Sequence, residues 1–219
     1  MRLYDFKAAQ KVDYFIANSK NVAGRIEKFY RRDSVVIYPP VELPKVGHVE
    51  REDYYLVISR IVGGKGLDLA VNAALELGIK LKIAGKPAGY YTEYKMLSKL
   101  AKKKVEFLGY VSDEKRAELY AGAKAFLALA EDEDFGITPV ESMLAGTPVI
   151  AFRGGGYTES VVEGKTGFFF DKPTLESLIG AINKFKGMKV KPEDCIAQAK
   201  RFSKERFIRE ITSFVQKHA

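Results

Sequence analysis

Short β-branched and aromatic runs, apolar on both sides of the strand alternation, recur almost from end to end of this 219-residue chain, with stretches of helical period between them. They predict strands at Tyr14–Ala17, Val35–Ile37, Tyr54–Ile58, Leu81–Ala84, Val105–Leu108, Ala125–Leu129, Pro148–Phe152 and Gly167–Phe170. A strand that is apolar on both faces has to be covered on both. The intervening stretches supply the cover. Leu67, Ala70, Val71, Ala74 and Leu75 form one helical stripe, which Gly78 stops. Ser112-Asp113-Glu114-Lys115 opens a helix carrying Ala117, Leu119 and Tyr120. Two last helices are predicted at about Lys191–Arg201 and Ser203–Lys217, the second with Ser203 as its N-cap. Such a succession, with crossovers of this length, specifies an α/β fold built on a doubly wound parallel sheet. Sheets of that kind bind ligands at the carboxyl ends of their strands, so the chemistry is sought in the loops that follow them.

The segment Tyr38-Pro39-Pro40-Val41-Glu42-Leu43-Pro44 interrupts the pattern, because its prolines favour extended backbone and cannot continue a helix or strand interior. It separates a first strand-helix-strand piece, residues 1–40, from a main body, residues 41–219. With 47% hydrophobic residues the chain has material for one sizeable core. A lone cysteine, Cys195, rules out an internal disulfide. No run reaches the roughly 18 apolar residues that span a bilayer, and the first residues show no secretory signal, so a cytoplasmic protein is expected. The 36 Lys and Arg outnumber the 28 Asp and Glu to leave +8. That excess suits a polyanion or a phosphorylated small molecule, or is simply a lysine-rich surface. The basic residues are scattered, with clusters only at Lys102-Lys103-Lys104 and between Lys184 and Lys191, and no nucleic-acid-binding motif is present.

Three loops stand out. Ser59-Arg60-Ile61-Val62-Gly63-Gly64-Lys65-Gly66 follows a strand and enters the Leu67 helix. Its glycines permit close backbone approach, the helix start favours an anion, and Arg60 and Lys65 add full charges. This is either a diphosphate cradle or a surface turn with solvated cations. Glu131-Asp132-Glu133-Asp134 ends the Ala125–Leu129 strand and runs into Phe135-Gly136-Ile137-Thr138-Pro139-Val140-Glu141. Four adjacent acids repel one another unless a ligand or cation uses them. Thr138, Pro139 and Glu141 fit a capping box, with Thr138 as N-cap and Glu141 three residues on, so Glu141 has a structural explanation as well as a ligand one. Arg153-Gly154-Gly155-Gly156-Tyr157-Thr158-Glu159 either makes room for a ligand near backbone donors or is a tight strand-to-helix turn.

Glu133 and Glu141, with seven residues between them including Phe135-Gly136, resemble the E-x7-E motif of the family-4 retaining glycosyltransferases, and the full 133–141 string is similar to that of their mannosyltransferase-like branch. Arg60 with Lys65, Ala84-Gly85, Gly109-Tyr110-Val111-Ser112 and Gly154-Gly155 follow in the family's order, and residues 12–19 and 38–41 resemble the passage out of its first domain. The resemblance implies the C-terminal, Rossmann-like half of a GT-B glycosyltransferase. It implies that Arg60 and Lys65 hold the diphosphate of a nucleotide sugar, with Gly64, Gly85, Gly154 and Gly155 close to the donor. Glu133 and the backbone of Phe135, Gly136, Ile137 and Thr138 would meet the transferred sugar. Glu141 would meet the ribose, and Tyr110 and Val111 the base. Catalysis would be electrostatic, from Arg60, Lys65 and Glu133, with no metal and no cofactor beyond the donor.

The family's members are about twice as long and carry an N-terminal acceptor-binding domain that often supplies a histidine. His48 and His218 do not match that role. The expected partners are therefore a nucleotide sugar, GDP-mannose before UDP-sugars, and an acceptor domain or separate subunit, without which the chain is expected to be inactive. Peripheral contact with the inner face of a membrane is a further expectation. Without its partner domain, the last helix is expected to expose Phe202, Phe207, Ile208 and Ile211. A non-catalytic nucleotide-sugar-binding or regulatory module is the competing reading, a nucleotide-sugar epimerase another, and a nucleic-acid or membrane-surface binder resting on charge alone a last one.

Overall fold

The computed structural model describes residues 2–88, 95, 97–99 and 104–218. Of the 102–104 lysine cluster only Lys104 lies within them. A six-stranded parallel sheet forms the main body, from β3 (Tyr54–Ile58), β4 (Lys80–Ala84), β5 (Val105–Gly109), β6 (Ala125–Ala128), β7 (Val149–Phe152) and β8 (Gly167–Phe170). Their spatial order is β5-β4-β3-β6-β7-β8. The chain thus moves outward from β3 in one direction, returns, and moves outward from β6 in the other. That reversal between β3 and β6 leaves a crevice at their carboxyl ends.

Strand alternation sorts the core into two layers. Tyr55, Val57, Leu81, Ile83, Leu127, Ile150, Phe168 and Phe170 face one side, under α3 (Leu67–Leu77) and α7 (Leu175–Lys186). Tyr54, Leu56, Phe126, Ala128, Val149, Ala151 and Phe169 face the other. There they meet α4 (Asp113–Gly122), α5 (Ile137–Leu144) and α8 (Pro192–Ala199). Every main-sheet pairing is parallel, as strands apolar on both faces require. A one-turn helix, α6 (Tyr157–Ser160), follows β7.

The first piece does not join that sheet. Its strands β1 (Ile16–Ala17) and β2 (Val35–Val36) pair in parallel with each other across α2 (Lys20–Tyr30), after a first helix α1 (Arg2–Ala9). Residues 37–53 contain no helix or strand, as the prolines dictate. The last helix, α9 (Lys204–His218), begins where expected, with the Ser203 hydroxyl accepting from the Arg206 N–H at 3.3 Å. Its expected exposure is only partly found. Phe202 is buried against Tyr38 and Phe135, and Phe207 and Ile211 are half-buried, so of the four only Ile208 is exposed. Further along the helix, the ring of Tyr14 lies 5.9 Å from that of Phe214 and 4.3 Å from that of His218.

Candidate functional site

The loop after β3 and the loop after β6 meet at the sheet's reversal point. Gly66 is the N-cap of α3 with φ +66°, and a Cβ there would stand 2.7 Å from the Cβ of Leu129. Only glycine lets α3 start so close to the end of β6. Lys65 is thereby carried to Glu133, and their side chains pair at 2.9 Å, both about one-quarter exposed. The two loops, with Asn18 of the first piece, enclose a cavity of about 420 Å³, within the range of small-molecule sites. Arg60, Lys65, Glu133, Phe135, Gly136, Ile137 and Thr138 all line it. Arg60 is exposed and makes no ion pair among the described residues. One full positive charge is therefore available to an incoming anion, and a second is held by a carboxylate.

The capping box is not formed. α5 starts at Ile137, its N-cap is Gly136 at φ +84°, and Thr138 and Pro139 lie within the first turn. A Cβ on Gly136 would come within 2.6 Å of the Tyr157 ring, so the buried aromatic imposes glycine here and shifts the helix start two residues upstream of the expected one. The start of α5, Gly136 to Thr138, consequently lines the cavity, with first-turn N–H groups that have no partner within the helix. Glu141 sits beyond the first turn and is 6% exposed. Its carboxylate accepts from the Tyr120 hydroxyl at 2.9 Å and pairs with Arg116 at 3.2 Å. Burial pushes its pKa up, while Arg116 and the Tyr120 hydroxyl pull it back. Burial also raises the Tyr157 hydroxyl, with the Glu133 carboxylate as the second cause.

Three of the four acids are answered from within the chain. Lys65 takes Glu133, and Arg25 of α2 takes both Asp132 and Asp134, the latter at 2.6 Å. Among the described residues no group of three or more His, Cys, Asp or Glu side chains is arranged to hold a metal.

Other expected residues lie away from the cavity lining. Tyr110 is 70% exposed with the Lys86 ammonium 4.5 Å above its ring, and Val111 packs against the second core layer. Gly85 lies against the end of β3, where a Cβ would collide with the Ser59 carbonyl. Gly64 is open, at φ +80°. Gly154, Gly155 and Gly156 press on the acidic loop: a Cβ at 155 or 156 would strike the backbone of Glu133 or Phe135. The Gly156 N–H donates to the Glu133 carbonyl at 2.8 Å. The triple glycine thus packs one loop on another. Arg25 and Arg116 had no local signal, and Asn18 and Tyr157 lay in segments noted in the sequence without a role of their own. The unbalanced acid run was the only hint that distant cations were needed.

Comparison with known proteins shows the family and the fold. Residues 40–202 match the family model "Glycosyl transferases group 1". An uncharacterised glycosyltransferase of Methanocaldococcus jannaschii is 26% identical over 94% of this chain and 60% of its own length. Mouse alpha-1,3/1,6-mannosyltransferase ALG2 is 26% identical over 94% of this chain and 59% of its own. The chain therefore spans about 60% of the length of these relatives. Among solved structures, Anabaena HepE in complex with UDP-glucose superposes with a TM-score of 0.85 at 22% identity, covering 94% of this chain and 64% of that one. The chain belongs to the group 1 glycosyl transferases and carries the α/β fold of GT-B glycosyltransferases.

Proposed function

We propose that this chain is the donor-binding part of a retaining, family-4-type hexosyltransferase. It would take a nucleoside diphosphate sugar, GDP-mannose before UDP-sugars, and deliver the hexose to a carbohydrate or lipid-linked acceptor. The observation that carries the reading is the cavity at the β3–β6 reversal, where Arg60, Lys65, Glu133 and the start of α5 converge. A diphosphate fits beside the two cations, which would stabilise the negative charge that develops on the departing nucleotide. Glu133 and the 135–138 backbone, which line the same cavity, would meet the transferred sugar. The mouse relative's mannosyltransferase name and the UDP-glucose bound by the structural neighbour support a hexosyl nucleotide as donor. The E-x7-E pair is read here as Glu133 on the sugar and Glu141 near the ribose, with Tyr110 and Val111 toward the base and Gly64, Gly85, Gly154 and Gly155 shaping the loops. The acceptor wall would come from further polypeptide, N-terminal or separate, and transfer is not expected from this chain alone.

Calorimetric titration with GDP-, UDP- and ADP-sugars and their free diphosphates tests the reading. Binding of one diphosphate at micromolar to millimolar concentration is expected. Arg60→Ala should weaken it by about ten- to a hundredfold, the loss of a charge-assisted hydrogen bond of roughly 1.5–3 kcal/mol. The melting temperature should hold, because Arg60 is exposed. No binding to the folded chain at millimolar ligand would overturn the proposal.

A further inference from the structure

The acidic loop is held from outside the family match. Residues 40–202 carry that match, and α2 lies before it. From α2 and its cap come four ties to the loop. The Ser19 hydroxyl donates to the Asp134 carbonyl at 2.6 Å, and the Asn21 side-chain amide to the Glu133 carbonyl at 3.4 Å. One terminal nitrogen of Arg25 pairs with Asp134 and the other with Asp132. Asn18, one residue before the cap, lines the cavity itself. The consequence concerns the acid in the middle. Asp132 and Asp134 are engaged by Arg25, and Glu133 between them turns into the cavity to Lys65. Without Arg25, three adjacent carboxylates would repel one another and compete for Lys65, leaving the direction of Glu133 undetermined.

We infer that α2 positions the sugar end of the donor site, and that Arg25 is the positioning residue through which it does so. The inference rests on the donor-site reading above and adds a residue that neither the motif nor the cavity lining contains. Arg25 does not touch the ligand. It sets which way Glu133 points by removing the charge on either side of it. Loss of Arg25 therefore acts chiefly on recognition of the sugar, and much less on the diphosphate, which Arg60 and the α5 start face independently of it.

The test is calorimetric titration of wild type, Arg25→Gln and the triple variant Arg25→Gln/Asp132→Asn/Asp134→Asn with GDP, UDP, GDP-mannose and UDP-glucose. Arg25→Gln should weaken the nucleotide sugar that the wild type binds by about three- to fivefold, the scale of partly exposed ion pairs, and its free diphosphate by less than about twofold. The triple variant, with the repulsion also removed, should return the nucleotide sugar to within about twofold of wild type. If Arg25→Gln does not fold, Arg25→Lys, which keeps charge but cannot fork between two carboxylates, takes its place with the same reading. Equal losses for sugar and diphosphate, no loss, or no recovery in the triple variant would each overturn the inference. So would a wild type that binds a diphosphate and gains nothing from either sugar. A wild type that binds none of the four overturns the donor-site reading, and this inference with it.

Discussion

Lys65 and Glu133 are assigned above to different parts of one donor, yet in the structure they hold each other at 2.9 Å. On that assignment, a diphosphate has to draw Lys65 away from a carboxylate. Glu133→Gln should release the ammonium and tighten a bare nucleoside diphosphate by about two- to fivefold, matching a half-buried pair worth under roughly 1 kcal/mol. Intact nucleotide sugar should weaken at the same time. Titration of both ligands against the variant reads the two effects separately, and unchanged diphosphate affinity would show that Lys65 is not drawn away. Glu141 poses the opposite problem, a carboxylate already satisfied by Tyr120 and Arg116 and raised in pKa by burial. Arg116→Met removes its counter-charge and should destabilise the fold by about 1–3 kcal/mol at pH 7. Because the folded-state pKa lies above the unfolded one, the native chain binds the extra proton between them, and the penalty belongs to the ionised form. It should shrink as pH falls through the raised pKa. Urea denaturation of both proteins at pH 7 and pH 5 checks this, and a pH-independent difference would contradict it.

At the scale of elements, helix starts decide what the loops can do. α5 begins on Gly136 because Tyr157 excludes any side chain there. Gly136→Ala should therefore cost about 1–3 kcal/mol, from the left-handed backbone and the ring collision together. Thr138→Ala should cost less than about 0.5 kcal/mol, because Thr138 caps nothing. Thermal denaturation of the two variants separates this start from the capping box, which would make Thr138 the costlier loss. α2 is anchored differently. Its first N–H groups, from Lys20 and Asn21, donate to the Glu159 carboxylate at 2.8 and 3.0 Å, and the Tyr38 hydroxyl donates to the same group at 2.9 Å. A carboxylate at a helix N-terminus is favoured by the dipole as well as by the bonds. Burial first, and then this hydrogen bond to Glu159, push the Tyr38 hydroxyl up to about 12.

For the whole molecule, Glu159 ties the first piece to the main body, and α9 closes over it through Tyr14, Phe214 and His218. Arg206 of α9 adds a bond to the Tyr38 carbonyl at 2.6 Å. No residue of α9 is fully buried, and Leu3, Tyr4 and Phe29 of the first piece are exposed. The first piece is thus held by polar ties more than by core. Glu159→Ala should loosen it selectively, raising hydrogen exchange in α2 by about tenfold while α3 and α5 are unchanged, since the lost charge-assisted bonds are worth roughly 1.5 kcal/mol or more. Hydrogen-exchange mass spectrometry shows which occurs. A uniform rise across the sheet would mean that the first piece is part of one cooperative core.

The alternation of strands apolar on both faces with helical stripes was enough to determine a doubly wound parallel sheet. The position of the Arg60–Lys65 loop and of the acid run, each directly after a buried strand, was enough to place them at its carboxyl end. These are short-range patterns, set by how each segment must bury itself. The tertiary structure decided which charges meet. Lys65 and Glu133 are 68 residues apart, and Arg25 is 107 and 109 residues from its aspartates, separations that no local period encodes. It also decided where α5 starts and which side chains partner Glu141. Thr138, Pro139 and Glu141 satisfied a local capping pattern, but the ring of Tyr157 occupied the space beside Gly136 and the buried Tyr120 and Arg116 claimed the carboxylate. Once packing excludes a side chain from a turn or supplies a partner to a buried charge, that contact outweighs a cap worth about 1 kcal/mol.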